Sequence, residues 1–215
     1  MKNDLFSIQS EKQFTKNALH VFKHQFKNNK VYRSFCDLLY VHPSDVTKVE
    51  QIPFLPIQFF KTHQVLSTNQ SVQETFTSSG TTGAQVSKHL VADLSWYETS
   101  YTRAFEHFYG SVKDYTVLGL LPNYLEREGS SLIYMVNDFI QKSNNPKSGF
   151  YLDTLSELTK TLIALDQKGE KVLLIGVTFA LLDLIESQTF TLKNTVIMET
   201  GGMKGRRKEL IREEL

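Results

Sequence analysis

Apolar positions recur at helical spacing near the start of this chain and as consecutive runs further along. Phe14, Ala18, Val21, Phe22 and Phe26 fall on one helical face, with Ser10 placed to cap it. A second helix is predicted from Val31 to Tyr40, ending at His42-Pro43, so residues 1–45 form a helical N-terminal segment. Pro53 and Pro56 then force an extended path, because proline fixes its own φ and restricts its predecessor. Val72 to Thr77 alternates like a strand. Asp93 is placed to cap a helix that runs to Tyr109 and stops at Gly110. Beyond it, apolar strands and helices take turns. Strands are predicted at Tyr115–Leu121, Lys171–Val177 and Thr195–Glu199, and helices at Ser130–Gln141, Thr154–Asp166 (Asp153 as cap) and Phe179–Glu186. Asn144 to Gly149 reads as a surface loop. Consecutive apolar strand residues separated by helices predict an α/β fold, with a mostly parallel sheet covered by helices on both faces across residues 46–215.

Composition narrows the function classes. With a net charge of +1 the chain carries no nucleic-acid footprint. No apolar run approaches the ~20 residues that span a bilayer, and Met1-Lys-Asn-Asp-Leu-Phe-Ser7 lacks a signal-peptide core. One cysteine excludes an intramolecular disulfide and fits a reducing cytoplasm. The 15 Phe and 9 Tyr suit a phenylalanine-rich core as well as an apolar acyl pocket, and composition leaves both open.

The chemistry concentrates in Thr75-Phe-Thr-Ser-Ser-Gly-Thr-Thr-Gly83, followed by Lys88. Glycine admits close backbone approach and hydroxyls donate beside it, so such a loop can wrap a polyphosphate. Gly83 precedes Ala84-Gln85 where the common phosphate loop requires Gly-Lys-Ser or Gly-Lys-Thr, so a different nucleotide chemistry is implied. Ser79-Gly80-Thr81-Thr82-Gly83 resembles the Ser-Gly-Thr-Thr-Gly-x-Pro-Lys loop of the adenylate-forming, acyl-CoA synthetase-like superfamily. The proline is missing and the lysine arrives two positions late. That departure, with Ile52-Pro-Phe-Leu-Pro-Ile-Gln-Phe-Phe-Lys61, Leu121-Pro-Asn-Tyr-Leu-Glu-Arg-Glu-Gly-Ser-Ser131 and Glu199-Thr-Gly-Gly-Met-Lys-Gly-Arg206, is similar to the acyl-protein synthetase branch, the long-chain-fatty-acid–luciferin-component ligases.

The resemblance implies an enzyme that uses ATP and Mg2+ to activate a carboxylic acid, fatty acyl above all, as acyl-AMP and then transfers it to a protein thiol. Acyl-CoA or aryl-CoA ligation, with CoA as acceptor, is the enzymatic alternative, and a non-catalytic nucleotide-binding remnant is the other. It assigns ATP phosphate binding to Thr77, Ser78, Ser79, Gly80, Thr81, Thr82 and Gly83, with Lys88 as the cation. It sets Gly201 and Gly202 against adenine and ribose, with Lys204 and Arg206 in reach of phosphate. Asn123, Tyr124 and Gly129 become walls of the acyl or nucleotide site. An exposed Ser/Thr linker, a solvated basic helix start and plain serine capping are the respective bland readings.

Other features carry no chemistry. Cys36 lies on an apolar helical face and reads as a small buried hydrophobe; in the resembled enzymes the acyl-accepting thiol lies in the C-terminal part. His20 and His24 share a helical face without a third metal ligand, and no Gly-x-Ser-x-Gly elbow is present. A helix expected from Lys204 meets the chain end at Leu215 without a stop signal. The expectation is therefore an N-terminal piece of a longer enzyme, with little or no turnover by itself.

Overall fold

The structure, a computed structural model, describes residues 5–78, 85–122, 129–201 and 207. The chain forms two compact units, Met1–Ser100 and Tyr101–Leu215.

In the first unit, α1 (Glu11–Asn28) starts as expected, with the Ser10 side chain accepting from the Gln13 N–H. Phe22 and Phe26 are buried on its apolar stripe, whereas Phe14 is 51% exposed. Asn29 then ends one helix and starts the next. Its N–H donates to the Gln25 carbonyl, while its side-chain oxygen accepts from the Tyr32 N–H, opening α2 (Lys30–Leu38). This helix stops short of the predicted Tyr40, which takes a left-handed φ of 55° and lies 94% exposed. Phe22, Phe26, Tyr32, Cys36 and Val46 form the core of the unit. The Tyr32 hydroxyl donates to the Pro53 carbonyl at 2.6 Å, tying the extended proline segment to the helices. Burial pushes the Tyr32 phenol and the Cys36 thiol up from their ordinary values, so both stay protonated and inert. A short α3 (Phe59–Thr62) precedes an antiparallel hairpin of β1 (Glu74–Thr77) and β2 (Lys88–Val91).

Helix α4 (Leu94–Tyr109) crosses from the first unit into the second. Asp93 accepts from the Ser95 N–H just ahead of it, and Gly110 ends it at φ 81°, as expected. The second unit is built on β3 (Thr116–Leu120), β4 (Gly149–Phe150), β5 (Val172–Gly176) and β6 (Thr195–Glu199), all parallel in the order β4-β3-β5-β6. Between them lie α5 (Ser131–Ser143), α6 (Leu155–Gln167) and α7 (Thr178–Ser187). Every residue of β3 and β5 is buried, which accounts for their unbroken apolar runs. Helices cover both faces. A Cβ on Gly119 would meet Val136 of α5, whereas one on Gly176, paired with Leu120, would meet Leu181 of α7 on the opposite side.

Two expectations need correction. Asp153 does not cap α6; Thr154 holds the cap position, and without a side-chain bond. The predicted loop gives way at Gly149 to edge strand β4, whose two residues are too short for any periodicity. Asn145 and Ser148 anchor that loop to β3 through the Thr116 hydroxyl (2.9 Å) and the Val117 N–H (2.9 Å).

Asp166, at the end of α6, is 7% exposed and clamps the start of β6. Its carboxylate accepts from the Lys193 N–H, the Asn194 N–H and the Thr195 hydroxyl at 2.8–3.0 Å. The backbone bond from Lys193, then that from Asn194, holds its carboxyl below the usual aspartate range. A depressed folded value means stability that is fully present above an unfolded aspartate's ~3.9 and lost as pH falls through the folded value. Asp166→Asn is therefore expected to lower the urea midpoint at pH 7 and to flatten its decline between about pH 5 and pH 2, as denaturation across that range will measure. Cys36 is expected to react with an aromatic disulfide reagent only in guanidinium, with no native-state labelling over the same time.

Candidate nucleotide-facing segments

In the first unit, the hydroxyl-rich run connects β1 to β2. Residues 79–84, which include Ser79, Gly80, Thr81, Thr82 and Gly83, lie outside the described residues. The base of the loop is described. Ser78 closes it twice: its N–H donates to the Ser87 carbonyl (3.1 Å) and its hydroxyl accepts from the Ser87 N–H (3.1 Å). Thr77 stands directly opposite Lys88 in the ladder, and both are exposed. Residues opposite one another on an antiparallel pair point to the same side, so the hydroxyl and the ammonium share one face at the loop mouth. A hairpin, not a strand-to-helix turn, presents this run. Among the described residues, that face offers an anion one cation and neutral donors.

In the second unit, the chain leaves β3 toward β4 on one side and leaves β5 toward β6 on the other. That reversal between adjacent strands sets a crevice outside their carboxyl ends, where ligands of open α/β sheets collect. Asn123 and Tyr124 lie outside the described residues, as do Gly202, Lys204 and Arg206. Gly129 adopts φ 75° ahead of Ser130, whose hydroxyl caps α5 by accepting from the Ile133 N–H. Capping thus accounts for that serine. Gly201 adopts φ 77°, a conformation that favours glycine at the turn after β6.

Three residues absent from the sequence-based site organise this turn. The Thr200 N–H and hydroxyl both bond the Gly176 carbonyl, at 3.0 and 3.2 Å, continuing the β5–β6 pairing one residue beyond the strand. One carboxylate oxygen of Glu199 accepts from the Gly201 N–H at 2.5 Å and from the buried Thr178 hydroxyl at the start of α7. An acceptor here suits the hydroxyls of a ribose or the amino group of a base, and repels phosphate. Glu199 stood inside the Glu-Thr-Gly-Gly motif, so the signal was present; Thr178 carried none, because the bond spans 21 positions of sequence. Arg207 follows the basic run, and its guanidinium is bound to Glu186 at 2.6 and 2.7 Å and to Asp183, both on α7. Those bonds, Glu186 first, raise its pKa and commit its charge to α7. Among the described residues, no group of His, Cys, Asp and Glu is assembled to hold a metal, and no helix is long and apolar enough to cross a membrane.

The first of these segments has a counterpart among known proteins. The N-terminal region matches the acyl-protein synthetase family, LuxE, over residues 4–106. The match takes in the whole β1–β2 hairpin with its hydroxyl run, while the turns after β3 and β6 lie beyond it. The chain is also 34% identical over 76 residues to the long-chain-fatty-acid–luciferin-component ligase of Photorhabdus luminescens. That stretch is 35% of this chain and 65% of the relative, so the chain spans less than two thirds of the relative's length. No solved structure gives a significant match.

The Thr178–Glu199 bond should be measurable. Thr178→Val keeps shape and removes the donor, and is expected to cost about 1–2 kcal/mol in urea denaturation without changing the slope. Thr178→Ser should restore most of it.

Proposed function

We propose that this chain serves ATP-dependent activation of a long-chain carboxylic acid, with transfer of the acyl group to a protein thiol. One observation carries the reading: the family match includes the loop at which Lys88 and Thr77 share a face. The chemistry needs such a loop. An acid oxygen attacks the α-phosphorus of ATP, acyl-AMP forms and pyrophosphate leaves; a thiolate then attacks the acyl carbonyl and AMP departs. The leaving pyrophosphate carries dense negative charge, and donors fixed beforehand stabilise it without reorganising. Thr77, Ser78, Ser79, Gly80, Thr81, Thr82 and Gly83 supply those donors in this reading, and Lys88 the cation. Mg2+ bound with the nucleotide would supply positive charge to offset that of the leaving pyrophosphate.

The second unit holds the nucleoside. The crevice at the ends of β3 and β5 takes it in, with Gly129, Asn123 and Tyr124 as walls. In this reading Gly201 and Gly202 are the close-approach glycines, Lys204 and Arg206 the cations assigned to phosphate, and Glu199 the acceptor for the sugar. Similarity to an acyl-protein synthetase family and to a long-chain-fatty-acid–luciferin-component ligase favours a protein thiol and a long-chain fatty acid over CoA and an aromatic acid.

The test is acid-dependent exchange of labelled pyrophosphate into ATP by the complete gene product. Exchange is expected with long-chain acids. Its absence across fatty and aromatic acids alike overturns the proposal. Lys88→Ala should lower the exchange rate about a hundredfold while leaving the thermal midpoint in place, since Lys88 is exposed.

A further inference from the structure

The first unit contains a row of adjoining hollows, taken together as a cleft, whose polarity falls from one to the next. At its mouth, His24, Lys27 and Lys30 line a recess together with Ser67 and Thr68. The same two hydroxyl residues line the next stretch, a cavity of about 560 Å³ walled by Leu55, Phe60, Val91 and Trp96. There the buried Asn29 donates to the Ser67 hydroxyl at 3.3 Å, and Ser67 donates to the side-chain oxygen of Gln25. Val21, Tyr32 and Leu55 also line an adjoining hollow of about 380 Å³ that is apolar almost throughout, bounded by Phe14, Ala18, Phe22 and Phe54. Phe14, half exposed, lines this apolar end. The acid that lines the cleft, Asp93, is held at 3.0 Å by the Ser95 N–H.

We propose that this cleft binds the hydrocarbon chain of a long-chain carboxylic acid, with the carboxylate toward the His24–Lys27–Lys30 mouth. The proposal rests on the reading above for its substrate class, and on charge and shape for its place. From Phe14 to Lys27 helix α1 rises about 20 Å, room for an extended chain of about a dozen methylenes. Cations at one end and hydrocarbon at the other match an acid-headed amphiphile. The second unit offers an apolar groove too, of about 860 Å³ along α7 and β6, where Ile185 and Ile197 are exposed. Its charged group is Glu199, which repels a carboxylate head. Charge therefore selects the first cleft.

Trp96 is the single tryptophan and lines this cavity, which supplies the assay. A dibrominated octadecanoate, titrated below its micelle concentration into the full chain, is expected to quench Trp96 fluorescence saturably. Unlabelled acids should displace it, each two methylenes tightening binding about tenfold until the cleft is filled. Ala18→Phe blocks the apolar end and should weaken tetradecanoate at least tenfold while sparing hexanoate. Lys27→Gln with Lys30→Gln should weaken the acid and leave tetradecanol unchanged. If Ala18→Phe fails to fold, the chain-length series on the unaltered protein decides the matter alone. Absent quenching, or affinity independent of chain length, overturns the cleft. Pyrophosphate exchange without quenching removes the cleft and leaves the proposed activity standing. Quenching without exchange by any acid removes the activity and leaves a fatty-acid site.

Discussion

The double burial of β5 is the constraint on which the second unit depends. Its residues, Val172 to Gly176, are buried on both faces and hydrogen-bonded to β3 on one edge and β6 on the other. A peptide group so placed has no water to turn to, so every N–H and C=O must find its partner in a neighbouring strand. The register is thereby fixed, and with it the level at which the carboxyl ends of β3, β5 and β6 emerge. Each buried Val, Leu or Ile adds roughly 1.5–3 kcal/mol, but a one-residue slip would turn every one of them to the wrong helix layer. Gly119 and Gly176 show how closely those layers approach: a Cβ at Gly176 would lie 2.8 Å from Leu181 of α7, and one at Gly119 would lie 3.3 Å from Val136 of α5.

Polar groups in this unit are spent on holding its edges in place. Asp166 fixes where β6 begins, and Thr200 extends its pairing past the last strand residue. Between those two fixed points Glu199 has little freedom. Its position at the crevice follows from the strand, and its orientation from Thr178 and the Gly201 N–H. Arg207 reaches back to the same helix that supplies Thr178, using two carboxylates of α7. A basic residue near the turn after β6 is thus taken up by structure, and counting cations in that run overstates what is available to an anion.

Much of the fold was legible because its signals are local. Continuous apolar runs gave β3, β5 and β6 nearly residue by residue, and Ser10, Asp93 and Gly110 marked helix ends correctly. What escaped was non-local or too brief. β4 is two residues long and exists because Ser148 and Asn145 hold its approach against β3. α2 ended early because Tyr40 takes a left-handed turn that its own residue type gives no reason to expect. The Asn29 junction, serving two helices at once, and the Thr178–Glu199 bond join positions whose types are individually ordinary. The hydroxyl run stood out in the sequence, and its hairpin setting did not, since β2 carries exposed Lys88 and His89 where a buried alternation would have announced a strand.

Two apolar hollows of similar chemistry lie in one chain, and apolar area alone cannot rank them. Hydrophobic transfer is non-directional, so a hydrocarbon tail gains comparably in either. The head group breaks the tie. Near the first cleft the ionisable side chains are predominantly basic, and a carboxylate keeps favourable neighbours as it sheds water. Beside the α7 groove, Glu199 already occupies the polar end, and a second carboxylate there would raise the cost of ionising either. An amine- or hydroxyl-headed molecule would reverse the preference. The same acceptor that makes this end of the sheet hostile to an acid suits a hydroxyl or amine donor, so a single carboxylate on β6 sets which head groups the groove beside it can take.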